Sequence, residues 1–519
     1  DLTGDSGLYA AISRQMVESG NWLDLTINGK AYDQKPHLFF WLAGLGMSLF
    51  GYTNAAYKLF LFLAGAAGIY FTWRLARLLF SETAGRLAAL FTGTAQLFFL
   101  YFLDIHTDTV LQSAVILSLW QLAAYLEHKK PVNFIVAFAA IGLAMLTKGP
   151  VGAVLPFFFV LFSLLLKQDY RQLIHPKWLA GIAIVLLMIS PTLYHLWESF
   201  GMEGIRFYFI DNNIGRVTGE LTGTSTDPFF YSYNLLWAFL PWTVPVVAGL
   251  AAEVKTWFNR RNIHACSASL LGSVLVLFIV YSVARGKAPN YLMMLMPPLA
   301  VVAAGRVQHF SAWSSTLKSG IIYAQYVILG FMVLLLPVTW YFVMQADNPW
   351  FPVVLIVLVV VLSLLFVGRE PRSSHGMLHV SLVVAAAFNL YMNARVVPAL
   401  FSWQGARQAV NIYQQDESAE KRLYSWDLEE YELFFMAPDS ARNIATWEQM
   451  HEVMEKPGTW LYTNEWKHDE IVKMGFQIDT VYRIDQRGMN SVTLQILNAE
   501  TREKSLEPNF LIKTKDDFN

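Results

Sequence analysis

The chain has 519 residues, 55% of them hydrophobic and only 15% charged, with a net charge of −1. Soluble domains carry nearer a quarter charged residues, so this composition excludes an ordinary soluble protein and indicates one built into a membrane. The near-neutral balance gives no basic field for nucleic acid, and the single cysteine, Cys266, excludes an intrachain disulfide.

Residues 1–56 contain no span. "DSGLYAAISRQMVESGNW" sets Leu8, Ile12, Met16 and Val17 at helical spacing among polar residues, and "KPHLFFWLAGLGMSLFG" is too short an apolar run to cross a bilayer comfortably. Both predict helices lying along the interface. Longer apolar stretches follow at roughly 57–79, 86–103, 109–126, 132–147, 150–166, 178–197, 231–251, 266–284, 289–305, 320–344, 351–367 and 376–396, which predicts about twelve spans. After about Val397 the character changes. "RLYSW", "GTWLYT", "VYRI" and "SVTLQIL" read as strands, and "TWEQMHEVMEK" and "NEWKHDEIVKMG" as helices. The expected organisation is a first loop (1–56), a membrane domain (57–396) and a small α/β domain (397–519).

Alternate connections differ in charge. Arg74, Arg77, Arg86, Lys129, Lys130, Lys167, Arg171, Lys177, Lys255, Arg260, Arg261, Arg306, Lys318, Arg369 and Arg372 fall on one side, which reads as cytoplasmic. Residues 1–56, the 198–230 loop and the tail are then external. An N-terminal segment that starts outside needs an earlier span, so a helix ahead of Asp1 is expected.

The unusual ionisable groups gather on the external side: Asp5, Lys35, Asp108, Lys148, Arg216, Arg285 and Lys287. Two carboxylates among several cations suit an anionic lipid phosphate held by Lys and Arg, with a carboxylate left to accept a proton. Each has a plainer reading. Lys148 can be a snorkelling anchor, Asp5 and Asp108 can cap helices, and Arg216 can pair with Asp211 or Glu220. "DIHTD", with Asp104, His106 and Asp108, has the look of a metal cluster, but no second ligand set accompanies it. No cofactor is expected; a divalent metal stays as an alternative.

"GDSGLYAAISRQMVESGNW" followed by "YDQKPHLFFWL" resembles the first external loop of the protein O-mannosyltransferase-like glycosyltransferases, a group that includes the aminoarabinose transferases acting on lipid A. "MLTKGPVG", "NNIGRVTG", "DPFFYSYNLLWAFLPWTVP" and "SVARGKAPNYLMMLMPPLA" resemble further segments of that family in the same order, over residues 1–305. The resemblance implies a GT-C fold and transfer of a sugar from a polyprenyl-phosphate donor to a lipid, glycan or protein acceptor, among membrane lipids, on the external face of a bacterial inner membrane. It implies catalytic roles for Asp5 and Asp108, and donor-phosphate contacts from Lys35, Lys148, Arg216, Arg285 and Lys287. Tyr9, Tyr32 and His37 are the candidates for positioning substrate. The chain departs from the family at Ser6, Leu8 and Gln34, and carries Ser225 and Thr226 where a histidine would support a metal site. The alternative is a transporter or flippase of lipid-linked sugar, which predicts polar residues midway along spans and broken helices near the bilayer centre.

Overall fold

A computed structural model of the chain describes residues 4–218, 225–259, 265–344, 350–367, 374–416, 421–426, 428, 430–437, 441–487 and 493–516. Helix α1 (Gly4–Ser19) and helix α2 (His37–Phe50) are joined through a short hairpin of β1 (Thr26–Ile27) and β2 (Lys30–Ala31). The two helices pack by aromatic edges. The Tyr9 ring meets Phe39 at 5.2 Å and Phe40 at 5.8 Å. Gly46 lets α2 lie directly on the next helix, α3 (Asn54–Leu79): a Cβ there would sit 2.0 Å from the Ala56 carbonyl oxygen.

The membrane portion continues with α4 (Glu82–Gly93), α5 (Gln96–Leu103), α6 (Thr107–His128), α7 (Pro131–Lys148) and α8 (Val151–Leu166). Among the described residues eight helical stretches are long and apolar enough to cross a membrane, or nine if the bent pair α4–α5 is one span. This is fewer than the twelve expected, for three reasons. The 86–103 stretch is broken into α4 and α5, bent by 54°. The 231–251 stretch is two helices, Phe230–Ala238 and Thr243–Phe258. The 150–166 and 351–367 stretches are short apolar helices, Val151–Leu166 and Trp350–Phe366.

The two breaks satisfy each other. The Gln96 amide donates to the Leu240 carbonyl at 2.8 Å, and the Trp242 indole donates to Thr94 Oγ1 at 2.7 Å. Gln325 Nε2 donates to the Pro241 carbonyl at 2.8 Å. Backbone freed inside a bilayer needs such partners, because lipid offers none. Here they come from the facing break and the helix Ser315–Thr339, and both breaks are structural joints.

The tail carries a five-stranded mixed sheet in the order β4-β3-β5-β7-β6. Its strands are β3 (Arg422–Trp426), β4 (Arg442–Ile444), β5 (Thr459–Asn464), β6 (Ile478–Gln486) and β7 (Glu507–Thr514). β3 pairs in parallel with β4 and β5, and β7 runs antiparallel between β5 and β6. Of "SVTLQIL", expected as a strand, Ser491 and Val492 lie outside the described residues and Leu494–Leu497 is a single helical turn that buries only Ile496; β7 lies beside β6. The tail docks on the first loop through the helix Tyr431–Met436. The buried Arg14 donates from Nη1 to the carbonyls of Phe435 at 2.8 Å and Ala437 at 2.5 Å. The missing Cβ of Gly7 leaves room for Glu432, whose Cγ would lie 2.8 Å from it. α1 is thereby clamped between α2 and the tail, which fixes where Asp5 can point.

Candidate active site

The chain turns sharply between α5 and α6, and again between α7 and α8. α6 and α7 are joined through Lys129 and Lys130 and pack along each other, which brings the first turn of α6 beside the last turn of α7. Asp108 lies in the former and Lys148 in the latter. Each charge thus sits at the helix end whose dipole favours it, an effect of about 0.3–1 kcal/mol per group. The two are paired: Lys148 Nζ lies 2.7 Å from Asp108 Oδ1 and 2.6 Å from Oδ2. Asn290 Nδ2 donates to Oδ2 at 2.7 Å, and the Tyr291 ring lies 4.2 Å beneath the ammonium. Asp108 is 1% exposed. Both oxygens of this candidate catalytic residue accept hydrogen bonds, so the structure ties it to Lys148 and Asn290.

Asp5, Tyr9, Lys35, Tyr101, His106, Asp108, Lys148 and Asn290 line one polar cavity of about 300 Å³. Asp5 is exposed, in the first turn of α1, and accepts from the Tyr9 hydroxyl at 3.3 Å. Burial, with the nearby Tyr32, Asp5 and Asp108, holds the Tyr9 phenol well above its ordinary pKa, so it remains a donor. Lys35, at the foot of α2, also lines an adjoining groove of about 370 Å³, together with Lys148 and Tyr291. That groove is mainly apolar, walled by Val151, Val154, Phe158, Val276 and Val280. Phe209 stands in its wall and in that of a further apolar cavity of about 500 Å³. The sequence stretch at Lys35 thus ends where a polar chamber opens into an apolar channel.

Other expected site residues lie elsewhere. The imidazole of His37 is fully enclosed, with Nδ1 2.8 Å from Thr192 Oγ1 and Nε2 2.9 Å from the Leu23 carbonyl oxygen, so it ties the first loop to the helix Lys177–Arg206 and is not a substrate contact. Tyr32 packs its ring on Phe40 and is outside the lining of the cavity. Lys287 Nζ donates to the carbonyls of Ser225 at 3.1 Å and Asp227 at 2.7 Å, so it fastens a loop and does not face the chamber. Arg285 is exposed and outside both linings. The helix Asn212–Thr218 carries Arg216, whose side chain lies outside the described residues. Asp104 and His106 pair with each other at 3.2 Å, and no three His, Cys, Asp or Glu side chains among the described residues form a metal-binding group.

Sequence reasoning passed over Asn290, Tyr101 and Tyr291. Only "KAPNYL" offered a signal, a polar residue between a proline and an apolar run. Pro289 opens the 3₁₀ turn Pro289–Tyr291 that carries Asn290 to Asp108.

Residues 34–195 match the model of the dolichyl-phosphate-mannose-protein mannosyltransferase family. An uncharacterized protein of Aquifex aeolicus is 28% identical over 302 residues, 58% of each chain. The undecaprenyl phosphate-alpha-4-amino-4-deoxy-L-arabinose arabinosyl transferase of an Enterobacter species is 27% identical over 339 residues, 60% of this chain and 57% of that protein. The chain therefore spans somewhat over half the length of these curated relatives. ArnT of Cupriavidus metallidurans, solved bound to undecaprenyl phosphate, matches in fold with a TM-score of 0.75 at 19% identity, over 98% of this chain and 94% of that one. The chain thus has the fold of the aminoarabinose transferase ArnT, and over somewhat more than half its length it is similar in sequence to aminoarabinose transferases. The stretch matched by the family model starts one residue before Lys35 and takes in Asp108 and Lys148. Asp5 and the 285–291 loop lie outside it and join the site only through the fold.

Proposed function

We propose that this protein transfers a sugar from a polyprenyl-phosphate donor to an envelope acceptor, lipid A, another glycan or a protein, at the external face of a bacterial inner membrane. The observation that carries the reading is the junction at Lys35, Lys148 and Tyr291, where a polar chamber with carboxylates meets an apolar groove. A polyprenyl phosphate has the matching form, a charged head on a hydrocarbon tail. The undecaprenyl-phosphate specificity named for the relatives agrees with it.

The acceptor hydroxyl or amine attacks the anomeric carbon while Asp5 takes its proton. The bond from that carbon to the phosphate oxygen breaks, and its electron pair leaves with the phosphate. Lys35 meets the growing charge; a fixed charge placed where charge develops stabilises such a leaving group. Asp108 is a positioning residue: with Asn290 it orients the Lys148 ammonium at the chamber's mouth. A transporter would use broken helices to line a central substrate path. The two breaks here bond to each other, which favours the enzyme.

Mass spectrometry of envelope lipids and secreted proteins, with and without the gene, tests the reading. One sugar-bearing species should disappear with the gene. If the sugar-bearing species disappears while the lipid-linked sugar accumulates on the cytoplasmic leaflet and not on the external one, the chain is a flippase.

A further inference from the structure

His106 stands in the same chamber and has no role in the chemistry described so far. It occupies the N-cap position of α6, just ahead of the span, and its ring is 15% exposed. Its Nε2 lies 3.2 Å from Asp104 Oδ2, and the Tyr101 ring meets it edge-on at 5.2 Å. Nδ1 has no hydrogen-bond partner among the described residues. Asp104 closes the end of α5, so the turn between two helices fixes the pair. A carboxylate bonded to one imidazole nitrogen sets the ring's orientation and leaves the other nitrogen for chemistry.

The charged groups around the His106–Asp104 pair are Asp5 from α1, Lys58 from α3, Asp108 from α6, Lys148 from α7 and Glu432 from the tail, with Lys35 at the mouth. Lys148 is already matched by Asp108. A phosphodiester head entering this chamber becomes a phosphate monoester on transfer, gaining a charge that the paired Lys148 meets only weakly. We propose that His106, held by Asp104, contacts the donor phosphate through Nδ1 and donates its proton to the departing phosphate oxygen, acting as the acid that complements Asp5 as base.

The step balances. The acceptor's proton goes to Asp5, the carbon–oxygen pair goes to the phosphate oxygen, and that oxygen takes the Nδ1 proton. The products are the glycoside and polyprenyl hydrogen phosphate, and solvent returns the proton from Asp5 to His106. Burial opposes the imidazolium, but the Asp104 hydrogen bond and the charges of Asp104, Asp5 and Asp108 outweigh it and raise the His106 pKa above the ordinary histidine value. The acid form is thus present near neutrality, and a group of this kind acts best when its pKa lies near the working pH.

The proposal rests on the chamber's reading as a polyprenyl-phosphate site, and the test separates the two. Binding of undecaprenyl phosphate to the full chain in nanodiscs is measured from pH 5.5 to 8.5 for the wild type, His106→Gln and Asp104→Asn. Wild-type affinity should fall as pH rises through the His106 titration. His106→Gln should bind about tenfold more weakly than wild type at pH 6, the loss of one charge-assisted contact, and the gap should narrow as pH rises. Asp104→Asn should keep the wild-type fall but move it to lower pH. In transfer assays the alkaline limb of the rate should vanish in His106→Gln. No binding by the wild type at any pH would sink the donor-site reading itself. Wild-type binding that matches both variants at every pH would sink only the role of His106.

Discussion

Asp5→Asn is expected to express and bind donor as the wild type does, and to transfer sugar roughly 10²–10⁴-fold more slowly, the range typical of a lost general base. The substitution is nearly isosteric. Asn suits the start of a helix as well as Asp does, and its amide oxygen can still accept from the Tyr9 hydroxyl. What disappears is the capacity to take a proton. Asp108 cannot stand in, because Lys148 engages both its oxygens and Asn290 a second time engages Oδ2. Single-turnover transfer alongside donor binding checks this. Full activity in Asp5→Asn would reduce Asp5 to a helix-terminal group.

Lys148→Met is expected to cost about 3–5 kcal/mol of stability, because it strands the buried Asp108 charge beside a single amide donor. The double change Lys148→Met with Asp108→Leu should recover most of that loss, since removing both partners removes the unpaired charge as well. Unfolding in detergent, followed for both variants and the wild type, gives the comparison. A Lys148→Met protein as stable as the wild type would mean that water reaches Asp108 and that the pair is a surface contact. The double variant, if folded, should still lose transfer, because the groups that shape the mouth of the chamber are gone.

Much of this was legible in the sequence where chemistry and hydropathy coincide. Lys35 stands out because it interrupts the approach to an apolar run, and the structure puts it at the seam of chamber and groove. Asp5 stands out because it opens an amphipathic helix. Pairings across the chain were not legible. Asp108 and Lys148 are forty positions apart, and their contact depends on how two helix ends meet. Lys287 reads as an external cation whether it faces a ligand or, as here, two main-chain carbonyls. His37 reads as interfacial, and only the packing of the first loop on the helix Lys177–Arg206 shows both its nitrogens engaged. The two helix breaks were missed because each lies inside a longer apolar stretch, although Thr92-Gly93-Thr94 and Pro241 mark them; the hydrogen bonds that stabilise them join segments far apart in sequence.

Whether Lys35 marks the phosphate end of a lipid site is tested most directly by photo-crosslinking with a diazirine-bearing polyprenyl phosphate, followed by peptide mapping. Labels should fall on the groove, at Val151–Phe158 and Val276–Val280. Unlabelled undecaprenyl phosphate should compete them away, and Lys35→Ala should lower their yield about tenfold, as expected for one charge-assisted contact. Labels confined to the lipid-facing helices Ser315–Thr339 and Trp350–Val367, unchanged by Lys35→Ala, would contradict the site.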